Sequence, residues 1–166
     1  MNFLGNYKDW IKPEVIEYLL SNDGVRRPDA GENPDCEEFR LAPSVGYDLS
    51  KTWWHFYNEK SFPFEIQLPF ETDQKFTWWF IKMMPGHYMP MHRDPHVTKD
   101  SDKTNCSRYW MPLQDYSPGH VFIYDDEMVT RYTAGDLWKY TDANAIHGAC
   151  NIGYLPRLTF LFTTYD

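Results

Sequence analysis

The sequence contains no run of about 18 consecutive apolar residues, the length a membrane-spanning helix needs. Its first stretch, MNFLGNYKDWIKPE, has no basic segment followed by an apolar one. Neither a membrane span nor a secretory leader is expected. Cysteine is scarce: Cys36, Cys106 and Cys150 form an odd, widely spaced set without a C-x-x-C pair, which suits a reducing cytoplasm and excludes a disulfide framework. Each is read as a small buried hydrophobe. Positive charge is also lacking, since 16 Lys and Arg against 24 Asp and Glu leave a net charge of −8. The electrostatic footprint of a phosphate-backbone binder is therefore missing, and nucleic acid is disfavoured as a partner. There is no internal repeat and no low-complexity tract. What remains is apolar and aromatic material, 42% and 18% of 166 residues, which suits one domain with one sizeable core.

The first element is a helix. Pro13 in IKPEVIEYLLSNDG suits the first helical position and Glu14 the positive helix end; Val15, Ile16, Leu19 and Leu20 form an apolar stripe, and Asn22 to Gly24 stop it. Residues 22–51 are rich in Gly, Pro, Asp, Glu and Asn without a sustained period. They read as a loop or lid that covers the mouth of the domain and gains order with ligand. From Phe64 onward the pattern changes to short β-type runs: FEIQLPF, KFTWWFIKMM, CSRYWMPL, HVFIYDD, MVTRYTA, DLWKY and LPRLTFLFTT. Turn signals separate them, PG at 85–86, SPG at 117–119, AGD at 134–136 and NIG at 151–153. This predicts a mainly β sandwich or jelly roll with an N-terminal helix, a single domain over 1–166 with helix and lid in 1–63 and a barrel in 64–166.

Within this frame the triplet HRD, residues 92–94, raises a question of chemistry. With six His and fifteen Asp in the chain, an H-x-D arises about 0.5 times by composition alone. Residues i and i+2 of a strand share a face, so His92 and Asp94 at a strand end can offer an imidazole and a carboxylate to one ion. A third ligand has to come from another strand, and His55, His87, His96, His120 and His147 are the candidates. His147 is the best placed, after the strand DLWKY and the polar turn TDAN. Ten residues later Arg157 lies inside an otherwise apolar strand, where a cation is rare unless an anion meets it.

The order H-x-D, distal His, then Arg in a final apolar strand resembles the iron(II)- and 2-oxoglutarate-dependent dioxygenases over residues 76–164. It is closest to the prolyl-hydroxylase-like and aspartyl/asparaginyl-hydroxylase-like branches, and short proteins of this kind look familiar from bacteria and their phages. The resemblance implies a double-stranded β-helix (cupin-like jelly roll) in the cytoplasm, with iron(II) held by His92, Asp94 and His147 near one open end. It implies 2-oxoglutarate and O₂ as co-substrates, hydroxylation of a small molecule, free amino acid or protein side chain, and release of succinate and CO₂. Arg157 would meet the far carboxylate of 2-oxoglutarate, with Thr159 adding a hydroxyl. Arg108, Tyr109 and Trp110 are candidates for the co-substrate wall, Arg108 first. Two features depart from the pattern: SPGHVFI puts His120 where a doubled Gly is usual, and nine residues after Arg157 leave no room for the C-terminal substrate-binding segment of larger relatives.

Other readings of the same residues are plainer. His96 follows Pro95 and reads as a loop residue; His55, His87 and His120 read as structural or rim residues, although His87, His92 and His96 could mimic a zinc site. One Trp of each pair, Trp53-Trp54 and Trp78-Trp79, belongs to the core, and Asp125, Asp126 and Glu127 to a solvated hairpin end. A cupin-type metal enzyme without 2-oxoglutarate would keep the three ligands and have no use for Arg157. A binding module without catalysis would be expected to lose a ligand.

Overall fold

The computed structural model describes residues 1–27, 54–93, 106–142 and 145–166. The proposed lid therefore lies outside the described residues, except for its first few. The chain forms β1 (Asn2–Asn6), a short 3-10 turn (Lys8–Trp10), α1 (Pro13–Ser21), β2 (Val25–Arg27), β3 (Trp54–Tyr57), β4 (Lys75–Met83), β5 (Tyr88–His92), β6 (Ser107–Pro112), β7 (His120–Tyr124), β8 (Glu127–Val129), β9 (Asp136–Lys139), β10 (His147–Asn151) and β11 (Arg157–Tyr165). No described helix is long and apolar enough to cross a membrane.

All strand pairs are antiparallel, and they make two sheets, β1-β9-β6-β11-β4-β3-β2 and β5-β10-β7-β8. From β4 onward the chain alternates between them: β4, β6, β9 and β11 in the larger, β5, the hairpin β7-β8, and β10 in the smaller. A chain that winds back and forth between two facing sheets in this order is a double-stranded β-helix, as the sequence predicts.

β11 is the axis of the larger sheet, pairing along its length with β4 and over six positions with β6. It is buried on both faces, which explains why RLTFLFTTY reads as a continuous apolar run with no alternation. Its even positions, Leu158, Phe160 and Phe162, join Trp78, Phe80, Tyr109 and Met111 in an outer-face core. α1 covers that face with Val15 and Leu19, and Tyr57 and Phe62 complete it. The odd positions of β11 face the smaller sheet, where Leu161 meets Ile81, Met83, Trp110, Phe122, Tyr132 and Tyr140. The helix was legible to its ends, but its stripe is narrower than read: Ile16 is half-buried and Leu20 is exposed. At nine residues the helix can turn only one narrow face to the sheet.

Three sequence expectations are corrected. FEIQLPF, residues 64–70, is not a strand. Ile66, Leu68 and Phe70 pack on the outer core and Trp10 Nε1 donates to the Gln67 carbonyl at 2.9 Å, but Pro63 and Pro69 lack the N–H groups a ladder needs. Residues 1–63 are not merely helix and lid, because β1, β2 and β3 extend the larger sheet at both edges. Cys106 and Cys150 are half-buried in place of core hydrophobes, and Cys36 lies outside the described residues. The predicted turns are turns. Gly119 at SPG takes φ +95°, and a Cβ there would lie 2.3 Å from the Gly153 nitrogen, so two loops touch backbone to backbone at that end of the barrel. Asp125 to Glu127 form the exposed tip of the β7-β8 hairpin.

Phe160 is fully buried, with the rings of Trp10, Phe80 and Phe162 4.7–5.2 Å from its own. Phe160→Ala is expected to cost about 3–5 kcal/mol in urea denaturation. Tyr154→Ser, at a position 95% exposed, should change stability by less than about 0.5 kcal/mol. Equal effects would mean that the outer core does not hold the sheet.

Candidate metal centre and anion site

β5 and β10 are neighbours in the smaller sheet, and their register sets His92 directly opposite His147. The two imidazoles are 4% and 2% exposed, with ring centroids 4.4 Å apart. Each ring is oriented by a carbonyl two residues earlier: His92 Nδ1 donates to Pro90 O at 2.8 Å and His147 Nδ1 to Ala145 O at 3.0 Å. A carbonyl only accepts, so each ring carries a proton on Nδ1, and in the neutral form its lone pair lies on Nε2, the tautomer a metal ligand needs. Pro90 has a second effect. It cannot donate to the ladder, and the β5-β10 register shifts around it, a bulge that re-aims the residue following it.

Burial, then the nearby His92 and Arg108, lower the His147 pKa well below its ordinary value. The ring is therefore neutral and competent as a ligand. Asp94 lies outside the described residues, as does His96. Among the described residues no group of three ligating side chains is assembled; the structure brings together the two imidazoles of the triad read from the sequence. The other described histidines lie away from this pair of imidazoles or make different contacts. His87 is at the far end of β5, its Nδ1 accepting the Met84 N–H at 3.2 Å. His55 lies on β3, 3.5 Å from the Asp23 carboxylate. His120 is fully buried with Nε2 donating to Leu155 O at 3.0 Å.

Arg157 opens β11 and is 3% exposed. Its guanidinium carbon lies 6.0 Å from the Trp110 ring centroid and 5.8 Å from that of Phe122. Nη1 points at Met83 Sδ, 3.6 Å away; the Tyr132 phenol meets the guanidinium, and Nε and Nη2 have no other well-formed hydrogen bond among the described residues. Desolvation lowers its pKa, and the groups that oppose this are phenols and a thiol, Tyr132, Cys150 and Tyr140; no described carboxylate neutralises it. Thr159 Oγ1 and Trp110 Nε1 are likewise buried without hydrogen-bond partners among the described residues. Strand periodicity puts all of them on one wall, because Thr159 pairs with Pro112 and Leu161 with Trp110 across β11 and β6.

The same register turns Arg108 inward, opposite Thr163. Its guanidinium carbon lies 5.3 Å from the Trp79 centroid and 5.4 Å from that of Tyr140. Tyr109, considered for the wall with Arg108 and Trp110, faces the outer core stacked on Phe162 at 4.5 Å; alternation allows only every second residue of β6 to face inward. Trp78 is core and Trp79 faces the interior, as expected of such a pair. Trp53 and the side chain of Trp54 lie outside what is described.

Two interior tyrosines escaped the sequence reading. Tyr132 beside Arg157 and Tyr140 beside Arg108 are each 3% exposed, and burial pushes the Tyr140 hydroxyl up to about 12. Trp138 and Tyr140 in DLWKY carried a period-2 signal, but nothing in it told which face was the interior. The described residues therefore form a barrel interior rich in hydrogen-bond donors and cations, with two facing imidazoles on the smaller sheet, that of His147 neutral. An oxygen-rich anion and a divalent metal are what such an interior can receive.

No family model and no curated protein matches the chain. Solved structures with a similar course of chain include an uncharacterised protein with a double-stranded β-helix domain from Klebsiella pneumoniae, 20% identical over 58% of this chain and 71% of that one, TM-score 0.40. Others are the cupin domain of Schizosaccharomyces pombe Cnp3, 15% identical over 74% of each chain, TM-score 0.42, and a structure described as a predicted oxalate decarboxylase from Thermotoga maritima, 18% identical over 54% and 66%, TM-score 0.39. Similarity at this level says nothing of activity, and the strand order stands on its own.

Two outcomes follow for the metal-free chain. Arg157→Met removes a buried charge without a described counter-ion and keeps the volume, so its melting temperature should equal or exceed that of the wild type; a large fall would reveal a structural partner. His120 and His147 both titrate below 6.5 in the folded state, mainly through desolvation. The unfolded chain then takes up protons that the folded chain refuses, and stability declines as pH drops below about 6.5. Urea denaturation between pH 7.5 and 5.5 should show this decline, and His120→Gln should make it shallower.

Proposed function

We propose that the protein is an iron(II)- and 2-oxoglutarate-dependent oxygenase that hydroxylates a small molecule, an amino acid or a peptide or protein side chain. The observation that carries this reading is the Arg157 guanidinium, buried beside the Tyr132 phenol with no carboxylate to meet it among the described residues, next to the Thr159 hydroxyl and Trp110 indole N–H, which have no partner among those residues either. A buried cation needs an anion to offset its desolvation, and a planar fork suits a carboxylate. The far carboxylate of 2-oxoglutarate fits that demand. A cupin-type metal enzyme without this co-substrate would leave the donor set idle.

In this reading His92, His147 and Asp94 hold the metal. Two imidazoles and a carboxylate leave open positions on iron, and iron(II) with 2-oxoglutarate and O₂ supplies the oxidising power for hydroxylation, with succinate and CO₂ released. Pro90 O and Ala145 O each hold an Nδ1 proton, which directs the coordinating lone pair to Nε2. Arg157 and Thr159 bind and orient the co-substrate, and Arg108 supplies the second interior cation. Trp110, Phe122 and Leu161 exclude water, which strengthens each of these polar contacts.

The test is titration of the iron(II) form with 2-oxoglutarate under argon, read from the metal-to-ligand absorption band. Arg157→Ala should retain iron while co-substrate affinity falls by about 2–5 kcal/mol, and Arg157→Lys should recover part of it, offering a point charge in place of a fork. His147→Ala should lose iron. A wild type that does not bind 2-oxoglutarate, or an Arg157→Ala variant that binds it equally well, would sink the assignment while leaving the metal site standing.

A further inference from the structure

Tyr140 follows β9 and is 3% exposed; the Arg108 guanidinium donates toward its hydroxyl oxygen, while the hydroxyl proton meets no acceptor among the described residues. Its ring stands edge-on to His147 with centroids 5.5 Å apart, and edge-on to Tyr124 at 4.8 Å. The Arg108 guanidinium lies 5.4 Å from its centroid. The Tyr140 backbone N–H donates to Arg108 O at 2.8 Å, so main chain as well as packing fixes the phenol.

A buried phenol ordinarily finds an acceptor, because an O–H without one forfeits its hydration for nothing. Arg108 and Arg157, whose charges reach the hydroxyl, have no acceptor to offer. They can at most donate to its oxygen, which polarises the O–H bond and makes it a better donor. His147 Nδ1 is already engaged with Ala145 O. The phenol is thus held against the metal-binding imidazole, surrounded by cations, with its proton unassigned.

We infer that the Tyr140 hydroxyl is a positioning donor, aimed at an oxygen-bearing or other anionic ligand that binds beside His147 at the metal centre. The inference rests on the metal-centre reading above, and goes beyond it in giving the centre a hydrogen-bond donor of its own. A group kept for a ligand contributes nothing to the ligand-free fold, so the two properties respond to its removal in different directions. A structural hydroxyl would lower both.

Tyr140→Phe separates the two cases, since it deletes one oxygen and preserves the ring contacts. The metal-free variant should melt at or above the wild-type temperature. Its iron(II) form, under argon, should keep the metal and bind 2-oxoglutarate about tenfold more weakly than the wild type, with a shifted absorption band. Equal affinity with an unshifted band, or a melting temperature several degrees lower, would overturn the inference. If the wild type takes up no 2-oxoglutarate, the co-substrate reading fails alone. The Tyr140 inference is then decided with azide, a small anion that needs only an open position on the metal. Weaker azide binding in the variant supports it, and equal azide affinity or no azide binding at all refutes it.

Discussion

The structure depends on the burial of β11 on both faces. A strand has two faces, and here each has a distinct task. Leu158, Phe160 and Phe162 hold the helix and the outer core, while Arg157, Thr159 and Leu161 form one wall of the interior. The two tasks are coupled by covalent geometry, since a slip of one residue against β4 or β6 would expose the aromatic residues to the interior and turn the guanidinium outward. The long register with β4, from Arg157 opposite Met83 to Tyr165 opposite Lys75, fixes that alternation.

The interior is unusual in its polarity balance. Buried ionic groups in a stable core are paired, yet on this wall the described residues supply donors in excess: the Arg157 guanidinium, the Thr159 hydroxyl, the Trp110 indole and the Tyr140 phenol. Each such group costs stability in the empty chain. Aromatic faces at 5.8–6.0 Å from Arg157 offset a part of its desolvation. Such a division, with stability concentrated on one face of a sheet and unmet polar demand on the other, is the arrangement expected where a ligand completes the structure.

Rigidity comes from details with little side-chain content. Carbonyls of Pro90 and Ala145 set the tautomer of both imidazoles, and a bulge at Pro90 sets the aim of His92. At the opposite end of the strands, Asn151 is fully buried, its amide donating to Met83 O and Leu155 O and its oxygen accepting from Gly153. The close approach of Gly119 and Gly153 seals the loops above it. Backbone groups hold side chains without the entropy loss that ordering another side chain would add.

The sequence by itself determined the helix, the turns, most of the strands and the pairing of distant residues by type. Proline at a helix start, Pro-Gly and Ala-Gly at turns, and alternating or continuous apolar runs are local signals, written within a few residues of what they specify. The meeting of His92 with His147 was legible because both sit at strand ends bounded by such signals, and Arg157 because a cation within an apolar strand contradicts its surroundings. Tertiary structure alone decided which face is which. Arg108 and Trp110 turn inward and Tyr109 outward, Tyr132 and Tyr140 join the interior, and β1, β2 and β3 extend the larger sheet while FEIQLPF, with the same alternation, joins no described strand. Period-2 patterning states that two faces differ; only the packing of one sheet on another, and the availability of an N–H for each ladder bond, assigns them.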